Sequence, residues 1–239
     1  MSINNLWVVM PVYNEEEAIT SVIEEWIPAL NATKLNYTLC ILNDGSKDGT
    51  LGLLRKFEGQ YPAIKIIDKK NSGHGQSCIM GYKLALDNGA DWILQIDSDG
   101  QCDPQYLPAV IAMSSDKNKA VYGFRETRDD GTQRYVVSRF VTLFTFVATG
   151  QWVKDANVPY RLIHKSVMEK IVDKVPSDFH LANIFVSVLS NKMAKIKWVN
   201  IHFRDRSGGS ASVKTFSFVK HGFKLYKQLK EASKGVGTL

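Results

Sequence analysis

Apolar runs of strand length alternate with helix-spaced patterns through the first half of the chain. Leu6-Trp-Val-Val-Met-Pro-Val-Tyr13 reads as a buried strand, with Pro11 near its exit, where a ladder hydrogen bond is dispensable. Asn14 and Glu17 stand in capping-box spacing and predict a helix from there to about Leu30. Tyr37 to Leu42 is a second strand. The segment Asn43 to Thr50, with two glycines and several capping side chains, then leads into a short helix near Thr50. Ile64 to Ile67 is a third strand. A glycine loop, Asn71 to Ser77, feeds a helix marked by Ile79, Met80, Tyr82, Leu84 and Leu86. Trp92 to Ile96 is a fourth strand, and Pro104 stands where a further helix opens.

Strands alternating with helices predict an α/β fold with a mostly parallel sheet flanked by helices and right-handed crossovers. Ligands of such sheets lie beyond the carboxyl ends of the strands. Four polar clusters fall at such ends: Tyr13-Asn14-Glu15, Asp44-Gly45-Ser46, Gly73-His74-Gly75 and Asp97-Ser98-Asp99. One alone is an ordinary turn; four on one rim favour a nucleotide-type site. Residues two apart in an extended chain point the same way, so Asp97, Asp99 and Gln101 can offer oxygens to one hard cation if the chain stays extended. The competing reading of Asp97 to Gly100 is a plain turn. Neither glycine pair, Gly45 and Gly49 or Gly73 and Gly75, has Walker or dinucleotide spacing, which disfavours a P-loop kinase or an NAD enzyme.

At 239 residues and 44% hydrophobic, the chain can bury a substantial core as one domain. Cys40, Cys78 and Cys102 are widely separated and sit in apolar or helical surroundings, so free buried thiols and a reducing, cytoplasmic setting are expected. The first residues, Met1-Ser-Ile-Asn-Asn, show no signal-peptide pattern, and no apolar run approaches the roughly 20 residues of a spanning helix.

Charge changes the picture at the C-terminus. From Arg204 onward there are eight Lys/Arg against two Asp/Glu, which accounts for the whole net charge of +6. Phe216, Val219, Phe223, Tyr226 and Leu229 recur at three- and four-residue steps, with Lys220, Lys224, Lys227 and Lys230 between them. The expected division is a main domain over 1–212 and a basic amphipathic helical tail over 213–239, suited to a membrane surface or to docking on the domain. Residues 125 to 154, with Arg125, Arg128, Arg134 and Arg139 and the run Phe140 to Val147, suit either an interface or core packing. No nucleic-acid-binding module is recognisable, and a carboxylate-rich rim repels phosphates without a metal.

Assembled in order, these residues resemble the family 2 glycosyltransferases of the GT-A fold. The resemblance is strongest to the branch of dolichol-phosphate mannose synthases and bacterial polyprenyl-phosphate glycosyltransferases. It rests on Met10-Pro-Val-Tyr-Asn-Glu-Glu16, Asn43-Asp-Gly-Ser-Lys-Asp-Gly-Thr50, Asn71-Ser-Gly-His-Gly75 and Asp97-Ser-Asp-Gly-Gln101 with Asp103-Pro104. Gly123-Phe-Arg125, Asp155 to Arg161 and Asp205-Arg206 through Gly209 complete it, covering residues 6 to about 212. The resemblance implies a Rossmann-like GT-A domain in which Pro11, Tyr13, Glu15, Leu42 and Asp44 hold the base and ribose of an NDP-sugar. Asp97, Ser98 and Asp99 would form the DxD motif, binding Mg²⁺ or Mn²⁺ on the diphosphate, with Gln101 as a metal-side residue. Arg125 and Arg206 would face the phosphates. Three departures stand out: Asn43 for the usual first Asp, no phosphate-binding lysine at the usual place after Gly209 unless Lys214 replaces it, and Asn183 where many relatives carry Glu.

The implied reaction is an inverting single displacement from the NDP-sugar. A sugar-hydroxyl acceptor needs a carboxylate base, for which Asp155 is the first candidate and Asp178 the second. A lipid phosphate is already anionic and needs none. The leading expectation is therefore a polyprenyl-phosphate or related lipid-linked acceptor at the cytoplasmic membrane face, with the protein peripheral and a homo-oligomer compatible. The rivals are a transferase acting on a glycan hydroxyl and a catalytically silent NDP-sugar-binding protein. A nucleotidyltransferase is disfavoured because Asn14-Glu15-Glu16-Glu17 stands where its glycine-rich basic loop belongs.

Overall fold

A computed structural model describes residues 3–129, 132–176, 182–206, 226–231 and 233. Strand Leu6–Val12 (β1) is buried along its whole length. It is flanked by two parallel neighbours, Tyr37–Asn43 (β2) and Trp92–Gln95 (β4), and such central strands read as continuous apolar runs. Ile64–Asp68 (β3) adds parallel to β2. On the other side of β4, Arg161–His164 (β6) runs antiparallel between β4 and Ala120–Arg128 (β5), and Lys197–Phe203 (β7) closes the edge parallel to β5. Among the described residues this makes one seven-stranded sheet, ordered β3-β2-β1-β4-β6-β5-β7. Because β6 alone is reversed, its start faces the same rim as the carboxyl ends of the other six strands.

The helices are Ile19–Ala32 (α1), Thr50–Gln60 (α2), His74–Asp87 (α3), Leu107–Met113 (α4), Thr132–Thr149 (α5), Lys165–Ile171 (α6) and Ala182–Ala194 (α7). Gly81 lets α3 lie directly on the sheet, where a Cβ would collide with Val9. Cys40, Cys78 and Cys102 are free and buried, as expected. Pro104 opens a 3-10 turn ahead of α4, and the Asp103 carboxylate accepts the Gln105 amide at 2.8 Å.

One expected cap is not made. Helix α1 begins at Ile19, with Ala18 and not Asn14 at its N-cap. Asn14 has φ +52° and bonds across to the neighbouring loop, accepting the Lys47 amide at 2.8 Å and donating its own to Ser46 Oγ at 2.9 Å. Glu16, not Glu17, makes the matching contact, accepting Gly49 N–H at 2.5 Å. The capping-type residues therefore join the ends of β1 and β2 instead of starting a helix.

Most of the expected tail, including Lys214, Phe216, Val219, Lys220, Phe223 and Lys224, lies outside the described residues, as does the 212/213 boundary. The part described lies against the domain. Tyr226 meets Phe144 edge-on at 6.4 Å, Leu229 is fully buried, and Lys192 bonds the Ser233 carbonyl. No helix among the described residues is long and apolar enough to cross a membrane.

Candidate active site

The rim formed by β1, β2, β4 and the chain after β7 gathers most of the expected site residues. At the β2 end, buried Asp44 is held by its own surroundings. Its carboxylate accepts Ser72 N–H at 2.8 Å, Gly73 N–H at 2.9 Å and the Lys69 ammonium, while Asn71 Nδ2 donates to its carbonyl at 2.9 Å. Gly45 makes this closure possible: it has φ +69°, and a Cβ there would lie 2.9 Å from Asn71 N. Pro11 and Leu42 are buried beside Asp44 in register, and Tyr13 is half-buried. Asn43, in place of the more usual acid, donates to Asp68 Oδ1 at 2.7 Å.

After β4 the chain turns at once, with Gly100 at φ +79°. The turn and the carboxylate cluster are the same object. Asp99 Oδ1 accepts Gln101 N–H at 3.1 Å, an Asx-type turn, and this leaves Asp97 and Asp99 near enough to oppose each other's ionisation. Burial, then the Asp97 charge, raise the Asp99 pKa above the usual carboxylate value, with Arg206 opposing. Burial also works against the Asp97 carboxylate, but His74 and Arg161 hold it below the usual value. The two acids are thus driven apart. Arg206 Nη2 donates to Asp99 Oδ2 at 2.9 Å, and its Nη1 stands 3.6 Å from Glu15 Oε1. Burial of Glu15, with Arg206 opposing and Asp99, Asp97 and Asp48 adding, raises its pKa to about 7.

His74 was legible only as a member of a glycine loop, yet it is part of this cluster. It is the first residue of α3, and its Nε2 lies 2.8 Å from Asp97 Oδ1 while its ring is still 41% exposed. Burial disfavours its charge, but Cys78 at Nδ1 and Asp97 at Nε2 raise its pKa well above the usual imidazole value.

These residues suit a divalent cation. Asp99 is buried and Asp97 half-buried, the two acids repel each other, and Glu15 Oε2 is buried without a hydrogen-bond partner among the described residues. Gln101 donates its Nε2 to the Arg204 carbonyl at 2.9 Å, which leaves Oε1 as its ligand atom. No group of three or more His, Cys, Asp or Glu among the described residues could hold an ion. Two carboxylates and an amide oxygen are the kind of hard-oxygen set that Mg²⁺ or Mn²⁺ takes alongside phosphate oxygens.

Arg125 and Asp155 pair with each other, and Arg125 acts on the same buried Cys102 thiol as Asp97 and Asp99 do. Arg125 Nε and Nη2 donate to the two Asp155 oxygens at 2.6 and 2.7 Å, in a pair whose side chains are 8% and 2% exposed. The guanidinium also lies over the Phe203 ring at 4.9 Å. Both oxygens of Asp155 are thus occupied, which suits anchoring an arginine better than accepting a proton. Asp178 lies outside the described residues.

Behind Asp97 stands a buried polar network that sequence reading did not assemble. Gln95 Oε1 accepts Tyr82 Oη at 2.5 Å and Arg161 Nη1 at 3.2 Å, and Gln95 Nε2 reaches Asp97 Oδ1 at 3.4 Å. Arg161, fully buried, also donates to Asn183 Oδ1 at 2.9 Å. An amide ending the otherwise apolar Trp92-Ile-Leu-Gln95 was the available signal. Asn183, which stands where many relatives carry Glu, supports Arg161.

Comparison with known proteins gives the family and the fold. A family model described as Glycosyl transferase family 2 matches residues 7–176. Undecaprenyl-phosphate 4-deoxy-4-formamido-L-arabinose transferase of Proteus mirabilis is 26% identical over 196 residues, 81% of this chain and 57% of that protein. The protein of the same name from Shewanella sediminis is 22% identical over 228 residues, 94% of this chain and 66% of its own length. The chain thus spans less than two thirds of these relatives. Among solved structures, Mycobacterium tuberculosis glucosyl-3-phosphoglycerate synthase with Mn²⁺, UDP-glucose and phosphoglyceric acid superposes with a TM-score of 0.71 at 16% identity, covering 97% of this chain and 80% of that one. The same enzyme with Mn²⁺, UDP and glucosyl-3-phosphoglycerate gives 0.69. The fold is GT-A.

Proposed function

The chain belongs to glycosyl transferase family 2, and from that premise we propose that it moves a sugar from an NDP-sugar to a polyprenyl phosphate or related lipid-borne phosphate, at a membrane surface and with inversion. The observation that carries this reading is the cluster of Glu15, Asp97, Asp99 and Arg206 on one rim, with Arg206 2.9 Å from Asp99.

In this reading the residues at the ends of β1 and β2, namely Pro11, Tyr13, Leu42 and Asp44, bound the nucleoside. Asp97 and Asp99, with Gln101, would hold Mg²⁺ or Mn²⁺, and Ser98 lies in the turn between the two acids. The cation's contribution is to offset charge on the departing diphosphate. Arg206 and Arg125 bring fixed positive charge to the phosphates, and a preorganised cation in a buried site is worth far more than one in water. Asp155 keeps the Arg125 guanidinium in place. The acceptor phosphate oxygen forms a bond to the anomeric carbon while the bond from that carbon to the NDP oxygen breaks, and the NDP leaves with the electron pair.

Acceptor choice follows from the protons. A hydroxyl acceptor requires a carboxylate to take its proton, and the first candidate, Asp155, has both oxygens on Arg125. A phosphate acceptor needs no base. The names of the Proteus and Shewanella relatives point to the same acceptor class.

The test is a Mn²⁺-dependent assay of labelled NDP-sugars against a short-chain polyprenyl phosphate and a panel of saccharides. Label in the lipid-phosphate product supports the reading; transfer to hydroxyls alone overturns it.

A further inference from the structure

Helix α5 is built inside out. Its outward stripe is Val136, Phe140, Leu143 and Val147, spaced four, three and four residues apart and each 54% to 66% exposed. Its inward side carries Ser138, Thr142 and Thr145, all buried along with Val141 and Ala148. The hydroxyls there bond backbone carbonyls. Thr142 donates at 3.0 Å to Ser138 and at 3.1 Å to Lys154, and Thr145 donates at 2.9 Å to Thr142. A surface helix of a water-soluble domain normally shows the reverse, apolar residues inward and polar residues outward. Just past the helix, Trp152 is 57% exposed and meets the exposed Phe146 edge-on at 5.6 Å, which extends the apolar strip.

We propose that this face of α5, with Phe146 and Trp152, is the surface by which the protein seats itself on an anionic lipid bilayer. The charge around the strip identifies the occupant. From residue 131 to 154 the sequence holds Arg134, Arg139 and Lys154 and no Asp or Glu. The described C-terminal segment packs on the same helix through Tyr226 and Phe144, and it brings exposed Lys227 and Lys230 alongside. Apolar side chains that can enter the acyl boundary, bordered by cations that meet acidic headgroups, make the pattern of an interfacial helix. A second copy of the chain fits less well. A two-fold contact on this strip would bring the same basic border against itself, with no acid between residues 131 and 154 and a single one, Glu231, in the described C-terminal segment. The inference extends the lipid-acceptor reading, which supplies a reason for the site to lie near a membrane, but it stands on separate observations.

The experiment is vesicle flotation of the full chain, wild type against a Phe140→Glu/Leu143→Glu variant. The vesicles are phosphatidylcholine alone or phosphatidylcholine with phosphatidylglycerol. Thermal unfolding and Mn²⁺-dependent NDP-sugar hydrolysis are measured in parallel. The wild type is expected to float with the anionic vesicles. The variant, with hydrolysis unchanged, is expected to bind them about tenfold or more weakly, since two acids at the interface replace two inserting side chains. Equal flotation of the two proteins, or no flotation of the wild type, overturns the proposal. So does a wild-type dimer that the variant breaks without any change in vesicle binding, which would assign the strip to a second copy. Should the double variant unfold, Val136→Ser/Val147→Ser makes the same test with a milder change. Transfer to soluble short-chain acceptor is read separately, so a wild type that transfers sugar but does not float rejects the docking surface and leaves the proposed reaction standing.

Discussion

Arg206 donates to Asp99 at 2.9 Å, so the guanidinium neutralises one acid of the pair proposed to hold the cation. The same side chain reaches towards Glu15 at 3.6 Å. A residue in this place has two effects of opposite sign. It competes for Asp99 before the donor binds, and it supports the diphosphate afterwards. Arg206→Ala is therefore predicted to tighten Mn²⁺ binding in the absence of nucleotide, while lowering kcat/KM by about 10²- to 10³-fold, as loss of one preorganised charge contact does. Calorimetry and steady-state kinetics on the same preparation check both. Weaker Mn²⁺ binding in the variant would mean that Arg206 shapes the acid pair instead of competing for it.

The Arg125–Asp155 pair gives a prediction about stability. Removing one partner of a buried pair strands the other charge, at a cost of about 3–5 kcal/mol, whereas removing both is close to neutral. Asp155→Asn should lower the urea midpoint sharply, and Arg125→Met added to it should restore much of the loss. If Asp155 instead serves as a base, the single Asn variant would fold normally and lose the acid limb of its pH–rate profile.

The framework of this fold was legible because apolar runs in a parallel sheet carry their burial in the sequence itself. Leu6 to Val12, Tyr37 to Asn43 and Trp92 to Gln95 needed no tertiary information. The nearness of Asp97 and Asp99 on the rim was legible from spacing and position. Asn14 misled because the same side chain that caps a helix can cap a loop, and only the nearness of Lys47 decides between them. His74 and Arg161 were opaque for a related reason. Each acts on Asp97 across 23 and 64 positions of sequence, respectively, and no local pattern encodes that distance. The inverted face of α5 was left open between core and interface, since apolar and small hydroxylated positions interleave at helical spacing and the sequence does not say which set is inside.

Arg161 offers a third prediction. It is fully buried, and its described hydrogen bonds go to the amides Gln95 and Asn183 and the Ala156 carbonyl. Its charge acts on Asp97, helping to hold that acid ionised. Arg161→Met keeps an apolar body of similar length and removes the charge. The Asp97 pKa should rise, so that Mn²⁺ binding, titrated downward from neutral pH, is lost at a higher pH than in the wild type. An unchanged midpoint would limit Arg161 to packing.

Glu15 sets a pH dependence whose direction is opposite to that of ordinary carboxylates. Its pKa is raised from 4.5 to about 7, chiefly by burial. Between those values the folded chain keeps the Glu15 proton and the unfolded chain releases it. Folding thus takes up protons in that window, and stability falls as pH rises through it. The contribution is fully present below 4.5 and gone above about 7. Carboxylates held below their usual values, such as Asp97 and Asp48, act the other way and weaken the fold only in more acid solution. In chelator, to keep the site free of cations, the wild type should show a higher urea midpoint at pH 5.5 than at pH 7.5. The Glu15→Gln variant, which cannot ionise, should lose most of that difference and match or exceed the wild type at pH 7.5. Identical slopes in the two proteins would show that Glu15 does not titrate in this window, and that Arg206 offsets its burial more fully than the 3.6 Å separation implies.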